Sequence, residues 1–154
     1  MSSLNLFCDG SVNPQKKIGF GAYFIYDENL KTQDIKTIKF ENTSSTKLEL
    51  EVLIWALCDK RILNKNINIY TDCQNILGLA NRREKLERNF YKSSTGKEIK
   101  NKELYKVFFE LCDKFNCKFI KVKGHKPSNE KDDIDKLFNL VDKASRKALR
   151  EYLH

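Results

Sequence analysis

The chain has 154 residues, 40% of them hydrophobic and 11% aromatic, which is enough for one domain with its own core and excludes an intrinsically disordered chain. Its 29 Lys and Arg against 21 Asp and Glu give a net charge of +8, which favours a polyanionic partner, nucleic acid above all. No apolar run approaches the roughly 20 residues that span a bilayer, and the first residues lack a signal-peptide pattern, so we expect a cytoplasmic protein without a membrane partner.

The five cysteines are scattered and include no C-x-x-C pair, which is typical of reduced thiols in a reducing compartment. A zinc site is not expected either, because the only histidines are His125 and His154, too few for the usual ligand sets. We therefore expect ordinary thiols, most of them in the core.

The first part of the chain predicts three strands in quick succession. Leu4–Cys8 alternates apolar and polar positions and runs into Asp9-Gly10-Ser11, which predicts a strand followed by a turn. Gly19–Tyr26 is a strongly β-prone run, and Ile35–Phe40 gives a third strand. The spacing indicates an antiparallel meander.

A helix follows the meander. Apolar residues recur with helical spacing at Leu50, Leu53, Ile54 and Leu57. Thr46 is the predicted N-cap, with Glu49 three residues later as its capping-box partner.

The second part alternates strands and helices. Ile67–Thr71 predicts a short buried strand ending at Asp72, and a short helix starts at about Gln74. A polar, basic stretch then reaches Lys102, and Glu103–Phe115 is helical by its period.

Cys117–Val122 predicts the last strand, a Lys-rich loop carries Gly124-His125, and Leu137–Leu153 predicts the last helix. The whole order predicts one α/β domain over residues 1–154, a mixed sheet with helices packed on it.

Acidic residues stand out at Asp9, Glu49, Asp72 and Asp142. Each has an ordinary explanation: a turn aspartate, a capping-box partner, a helix cap and a surface charge, respectively. However, Asp9 and Asp72 each follow a strand, and sites in open α/β sheets are built at the carboxyl ends of strands.

The combination resembles a known family. Five segments resemble, in order, the signature segments of type 1 ribonuclease H: Phe7-Cys8-Asp9-Gly10-Ser11, Leu48-Glu49-Leu50, Tyr70-Thr71-Asp72-Cys73-Gln74, Val122-Lys123-Gly124-His125 and Asn139-Leu140-Val141-Asp142-Lys143-Ala144. A lone Asp-Gly-Ser is a weak signal, whereas five segments in order from residue 4 to about residue 150 are a strong one. The resemblance implies a five-stranded mixed sheet, three antiparallel strands followed by parallel strands.

The resemblance also implies a chemistry. Asp9, Glu49, Asp72 and Asp142 match the family's metal-binding carboxylates, and hard oxygen ligands suit Mg²⁺ or Mn²⁺. Two such ions would activate a water and stabilise the leaving oxygen as the RNA strand of an RNA–DNA hybrid is hydrolysed. The family's products carry a 5′-phosphate and a 3′-hydroxyl.

Some neighbouring acids compete for these assignments. Glu51 lies two residues from Glu49 on the same helix, and periodicity does not separate the two; the match of Leu48-Glu49-Leu50 favours Glu49. The rivals of Asp142 are Asp132, Asp133 and Asp135. These lie in a polar loop or helix start, where solvated charges are the default.

His125 matches the family's mobile histidine near the metals. An imidazole there can take or give a proton near neutral pH, so the resemblance implies a proton shuttle. Asp142 follows His125 by 17 residues, a longer gap than in the best-known bacterial members, and 126–138 could hold an extra turn.

Hybrid recognition requires contacts to the 2′-hydroxyl across the minor groove. The resemblance places such contacts at Asn13, at Ser45 and Thr46, where many members carry asparagines, and at Gln74. The basic stretch falls where some ribonucleases H grip the DNA strand. It contains Arg82, Arg83, Lys85, Arg88, Lys92, Lys97, Lys100 and Lys102.

Two alternatives stay open. Another nuclease or resolvase would share the fold and the metal chemistry, and a catalytically silent module would bind hybrids without turnover. Nothing in the sequence indicates an oligomer, so a monomer is expected.

Overall fold

A computed structural model of the chain describes residues 3–26, 34–62, 66–122 and 132–154. One five-stranded sheet has the order β3-β2-β1-β4-β5, with β2 antiparallel to β1 and β3, and β4 parallel to β1 and β5. Its strands are β1 (Ser3–Asn13), β2 (Ile18–Tyr26), β3 (Lys36–Glu41), β4 (Asn66–Thr71) and β5 (Asn116–Lys121). The predicted mixed sheet is confirmed.

Helices cover both faces of this sheet. They are α1 (Ser45–Leu57), α2 (Gln74–Leu77), α3 (Leu79–Arg88), α4 (Lys102–Lys114) and α5 (Asp133–Leu153), with a 3₁₀ turn at Lys60–Ile62. A larger apolar cluster joins α1, α2 and α4 to one face, and a smaller one joins α5 to the other. No helix within the described ranges has the length and apolar character needed to cross a membrane.

Alternation along β1 feeds both clusters. Leu6 and Cys8 pack in the larger cluster, whereas Phe7 packs in the smaller one beneath α5, because successive strand residues point to opposite faces. The Phe7 ring stacks on Phe24 and Tyr70, with centroids 5.1 and 4.4 Å away. By the same alternation, Asp9 and Ser11 lie on the α5 face.

The predicted turn at Asp9-Gly10-Ser11 is wrong, because β1 continues to Asn13 and pairs Asp9 with Ala22 and Gly10 with Gly21. Gly10 is explained by a close approach instead: a Cβ there would lie 3.0 Å from Cδ2 of Leu48. The parallel ladder of β1 with β4 ends at Phe7. Asp9 therefore lies just beyond the end of that ladder.

The predicted N-cap at Thr46 is also wrong. Ser44 caps α1, and its Oγ accepts a hydrogen bond from the backbone N–H of Lys47 at 3.3 Å. Three consecutive hydroxyl residues offer the same capping chemistry, so local sequence could not choose among them.

Two helix predictions need correction in length. The last helix starts at Asp133 rather than Leu137, since Asp132 and Asp135 form a capping box there. The predicted basic stretch contains α3, whose exposed, charged face carries too few apolar residues to show a helical period. The helix α3 ends at Arg88, shortly before Phe90 and Tyr91, which both adopt left-handed backbone angles, φ 53° and 56°.

Gly21 sets how closely α1 approaches the sheet. A Cβ at Gly21 would overlap Cγ2 of Val52 and lie 3.2 Å from the Phe40 ring.

We expect Gly21→Ala to lower the free energy of unfolding by about 1–3 kcal/mol through overpacking, measured by urea denaturation. Adding Val52→Ala should recover part of this loss, and Gly78→Ala, whose Cβ would meet only ordinary contacts from 3.5 Å, is the control. A double variant as unstable as the sum of its single changes would contradict this packing.

Candidate active site

The site lies at the edge of the sheet where β1 leaves β4. Asp72 follows the last residue of β4, and the chain turns there into α2. Thr71 Oγ1 accepts a hydrogen bond from the backbone N–H of Cys73 at 3.1 Å, and Cys73 Sγ accepts one from Ile76 at 3.4 Å. These two bonds fix the turn that presents Asp72.

Three elements bring carboxylates to this edge. Asp9 of β1, Glu49 of α1 and Asp72 after β4 all line one small cavity of about 70 Å³, together with Ser45 at the start of α1. Apolar and thiol side chains, including Cys8 and Leu48, also line this cavity. These apolar neighbours lower the local dielectric constant beside the carboxylates.

Asp9 shows the strongest electrostatic effect. Burial above all, and then the carboxylates of Asp72 and Asp142, raise the pKa of Asp9 to about 8, although a backbone hydrogen bond at Gly10 opposes them. Asp142 also hydrogen-bonds to the Asp9 side chain, which favours a proton on Asp9. The cluster is thus short of positive charge around Asp9.

Glu49 and Glu51 have different surroundings. The pKa of Glu49 is raised overall, by burial first and also by the carboxylate of Asp72, although a hydrogen bond with Cys73 lowers it. Glu51 instead accepts a hydrogen bond from the Thr43 hydroxyl at 2.6 Å. Glu49 is therefore the member of this pair that lies beside Asp72.

Asp142 reaches the site from α5 on the other face of β1. Its Oδ2 accepts a hydrogen bond from Nη2 of Arg146, one turn further along the helix, at 2.7 Å. Its rivals lie at the start of the same helix. Asp132 and Asp135 close the capping box, and Asp133 is exposed in the first turn.

The donor set consists of hard oxygen ligands, which suits Mg²⁺ or Mn²⁺. Within the part of the chain that the structure describes, no group of three or more His, Cys, Asp or Glu side chains has a geometry that could hold a metal ion. The interactions are pairwise: Asp9 and Asp142 share a hydrogen bond, and the charge of Asp72 acts on both Asp9 and Glu49. Carboxylates repel one another, so bound cations would favour a closer convergence.

A family model described as RNase H matches residues 1–142 of the chain. The chain belongs to the RNase H family. Ribonuclease H of Clostridium botulinum strain Hall is 30% identical over 147 residues, which cover 90% of this chain and 95% of the relative. Ribonuclease H of Acetivibrio thermocellus is 31% identical over 144 residues, covering 89% and 92%.

A solved structure supports the same fold. The crystal structure of a type 1 RNase H with the type 2 active-site motif matches with a TM-score of 0.70 at 14% identity, covering 94% of this chain and 72% of that one. The prediction of an enzyme of the RNase H family is confirmed by the family model and by these curated relatives.

The cysteines of this RNase H family member form no disulfide. Cys8 and Cys73 are buried, Cys112 and Cys117 are partly buried, and Cys58 is exposed. Burial first, and then its hydrogen bond with Glu49, raise the pKa of Cys73 to about 12. The Cys73 thiol at the site is therefore protonated and poorly nucleophilic.

The predicted substrate-binding residues of this RNase H domain differ in their exposure to solvent. Ser45, Thr46 and Gln74 are exposed at the starts of α1 and α2. Asn13 is half-buried, and its Oδ1 accepts a hydrogen bond from the backbone N–H of Lys16 at 3.0 Å. His125 lies outside the described residues.

A basic groove of about 910 Å³ lies beyond α3 in this RNase H domain. We use that name for the surface lined by Arg82, Lys85, Arg88, Phe90 and Lys92, among others. Phe90 is 79% exposed at its rim. Lys92 and Phe90 could be placed in the basic stretch from sequence, but the left-handed turn that carries Phe90 had no sequence signal.

Arg83 does not share this surface. Its guanidinium bonds to both carboxylate oxygens of Asp113, at 2.6 and 2.7 Å, and to Glu87, and it lies over the Phe109 ring. These contacts join α3 to α4 within the RNase H fold. Arg82 bonds to Asn75 in the first turn of α2 but stays exposed in the groove.

Proposed function

We propose that the chain hydrolyses the RNA strand of RNA–DNA hybrids, leaving 5′-phosphate and 3′-hydroxyl ends. The observation that carries the proposal is the shared cavity of Asp9, Glu49 and Asp72, with Asp142 hydrogen-bonded to Asp9, in a member of the RNase H family. Cytoplasmic location and a monomeric state stay predictions.

Two divalent cations, Mg²⁺ or Mn²⁺, would be held by Asp9, Glu49, Asp72 and Asp142. When bound, they would supply the charge that activates a water and stabilises the leaving oxygen. The raised pKa of Asp9, caused by burial and by two neighbouring carboxylates, supports this assignment, because a site short of positive charge favours cations. The Asp9 carboxyl must lose its proton before it can act as a ligand.

The roles of the surrounding residues follow from their exposure. Ser45, Thr46 and Gln74 are exposed beside the carboxylates, and their hydroxyl and amide groups can donate to and accept from a 2′-hydroxyl. Asn13, at the end of β1, would contact the same minor groove of the hybrid. His125 is proposed as the proton shuttle, on the resemblance alone.

We assign the DNA strand to the basic groove. Arg82, Lys85 and Arg88 line it and are exposed, so they can neutralise phosphates without losing a buried partner. Arg83 is given a packing role instead, because its guanidinium is held by Asp113 and Glu87.

Neutralising two of these residues tests the groove. We expect Lys85→Gln with Arg88→Gln to weaken hybrid binding and to reduce the slope of log affinity against log salt by about 1–2, since each phosphate contact contributes about 0.9. Fluorescence anisotropy in Mg²⁺-free buffer at several salt concentrations measures this. The control is Lys114→Gln with Lys118→Gln, which makes an equal charge change at the end of α4 and in β5 and should leave the slope unchanged. Equal losses of hybrid affinity from both pairs of changes would contradict the assignment.

A substrate panel separates the alternatives. Labelled RNA–DNA hybrid, duplex RNA, duplex DNA and a four-way DNA junction are incubated with the protein in Mg²⁺ or in EDTA. We expect cleavage of the RNA in the hybrid only, and only with Mg²⁺. Preferred cleavage of the junction or of duplex DNA would indicate a different nuclease on this fold. Hybrid binding without turnover in Mg²⁺ or Mn²⁺ would indicate a silent module and overturn the proposal.

A further inference from the structure

A partly buried and a fully buried hydroxyl connect the strand that carries Asp9 to the helix that carries Asp142. Oγ of Ser11 on β1 lies 3.0 Å from Oγ of Ser145 on α5. Ser145 is fully buried, and its hydroxyl also donates to the backbone carbonyl of Asp142 at 3.1 Å.

The direction of these bonds is fixed by the number of protons. A carbonyl oxygen only accepts, so the single proton of Ser145 is used in the bond to Asp142. The Ser11 hydroxyl must then donate to Ser145. This chain of hydrogen bonds therefore runs in one direction, from Ser11 through Ser145 to the backbone of Asp142.

The spacing places this connection beside the carboxylates. Asp9 and Ser11 are two residues apart on β1 and share its α5 face, and Asp142 and Ser145 are three apart on one face of α5. Asp9 with Asp142 and Ser11 with Ser145 thus form two neighbouring links between the same strand and helix. The first link consists of two groups that repel when both are ionised, whereas the second is uncharged.

We infer that Ser11 and Ser145 are positioning residues, which fix the separation of Asp142 from Asp9 and so set the affinity of the site for divalent cations. The inference rests on the proposed function for its metal ligands. Because Ser145 is fully buried, water cannot readily replace its hydroxyl, and loss of either partner removes the side-chain hydrogen bond that ties the Asp142 turn of α5 to β1. Groups that orient metal ligands typically change metal affinity by about 10–100-fold when removed.

The test compares Ser145→Ala, Ser11→Ala and the double variant by two measurements. Calorimetry gives the Kd for Mn²⁺ without substrate, and hybrid cleavage gives the Mg²⁺ concentration for half-maximal rate and the KM for hybrid. We expect each single change to raise the Kd and the Mg²⁺ midpoint about tenfold, with KM for hybrid within about twofold. The double variant should resemble the singles, because the two hydroxyls act through one chain of bonds.

Ile62→Val is the control for a merely structural effect. Ile62 is fully buried in the 3₁₀ turn after α1, and this change lowers the melting temperature without touching the hydroxyl chain. Its Mn²⁺ Kd and Mg²⁺ midpoint should equal those of the wild type. Any of four results would overturn the inference: unchanged metal affinity in Ser145→Ala, an equal loss of affinity in Ile62→Val, losses that multiply in the double variant, or no Mn²⁺ binding by the wild type. A wild type that binds Mn²⁺ but leaves hybrids intact would instead refute the proposed function, while the Kd values still test the hydroxyl chain.

Discussion

Asp9→Asn is expected to abolish hybrid cleavage and, in EDTA, to make the protein more stable than the wild type. An amide keeps the shape of the side chain but is a poor ligand for Mg²⁺ and carries no charge. The rate should fall at least about a hundredfold, since a metal site supplies several kcal/mol of transition-state stabilisation. Stability should rise because Asp9 in the wild type must either take up a proton or carry a buried charge that Asp72 and Asp142 repel, and the amide does neither.

The pH dependence of that stability has a definite sign. The pKa of Asp9 is raised to about 8, by burial first and then by the neighbouring carboxylates, whereas an unfolded Asp titrates near about 3.9. The folded wild type therefore holds a proton that the unfolded chain has lost. Its stability in EDTA should fall relative to Asp9→Asn as pH rises from about 4 to about 8.

Urea denaturation in EDTA at pH 4.5 and pH 8 measures this difference. The two proteins should be nearly equal at the lower pH, and Asp9→Asn should be more stable by about 1–3 kcal/mol at the higher one, a figure reduced for the residual exposure of the carboxyl. Glu110→Gln on the exposed side of α4 is the control and should show no such dependence. An Asp9→Asn protein that is less stable than the wild type at pH 8 would show that the carboxylates are not in conflict.

Glu49→Gln is expected to lose cleavage at least about a hundredfold, and Glu51→Gln to keep it within about threefold. The two residues are neighbours on α1, but Glu49 lies beside Asp72 and lines the cavity, whereas Glu51 bonds to Thr43. A glutamine at position 51 can still accept that bond through its amide oxygen. The two variants change charge equally, so general electrostatics cannot separate them.

Single-turnover cleavage of a labelled hybrid at saturating protein measures both variants under the same conditions. The Mg²⁺ midpoint of Glu51→Gln should equal that of the wild type. Equal losses in both variants would point to an effect of net charge on substrate binding. Loss in Glu51→Gln alone would transfer the ligand role to Glu51.

Much of the sheet could be predicted from sequence, because period-two and period-3.6 patterns reflect burial on one face. β3, β4 and β5 and helix α4 lie within about a residue of their predicted bounds. Asp-Gly-Ser was misread because Asp-Gly favours turns locally, whereas the space available to Gly10 depends on Leu48, a residue of α1. A contact across elements leaves no local signal.

The candidate site shows the same division. Resemblance predicts that Asp9, Glu49, Asp72 and Asp142 share one site, and in the structure they lie close enough to influence one another electrostatically in pairs. The pairing of Ser11 with Ser145 could not be predicted, because it requires the position of α5 on the sheet. Nor could sequence separate Arg83 from the exposed arginines around it, since its Asp113 partner comes from α4.

The most direct test of carboxylate-held, metal-dependent hydrolysis is the chemistry of the ends left on the RNA strand of a cut hybrid. Attack by water should leave a 5′-phosphate and a 3′-hydroxyl, visible by ligation to the 5′ end and by polymerase extension from the 3′ end, and EDTA should stop the reaction. Cleavage that persists in EDTA and leaves a 2′,3′-cyclic phosphate would show that the 2′-hydroxyl attacks instead, and would contradict the proposed mechanism.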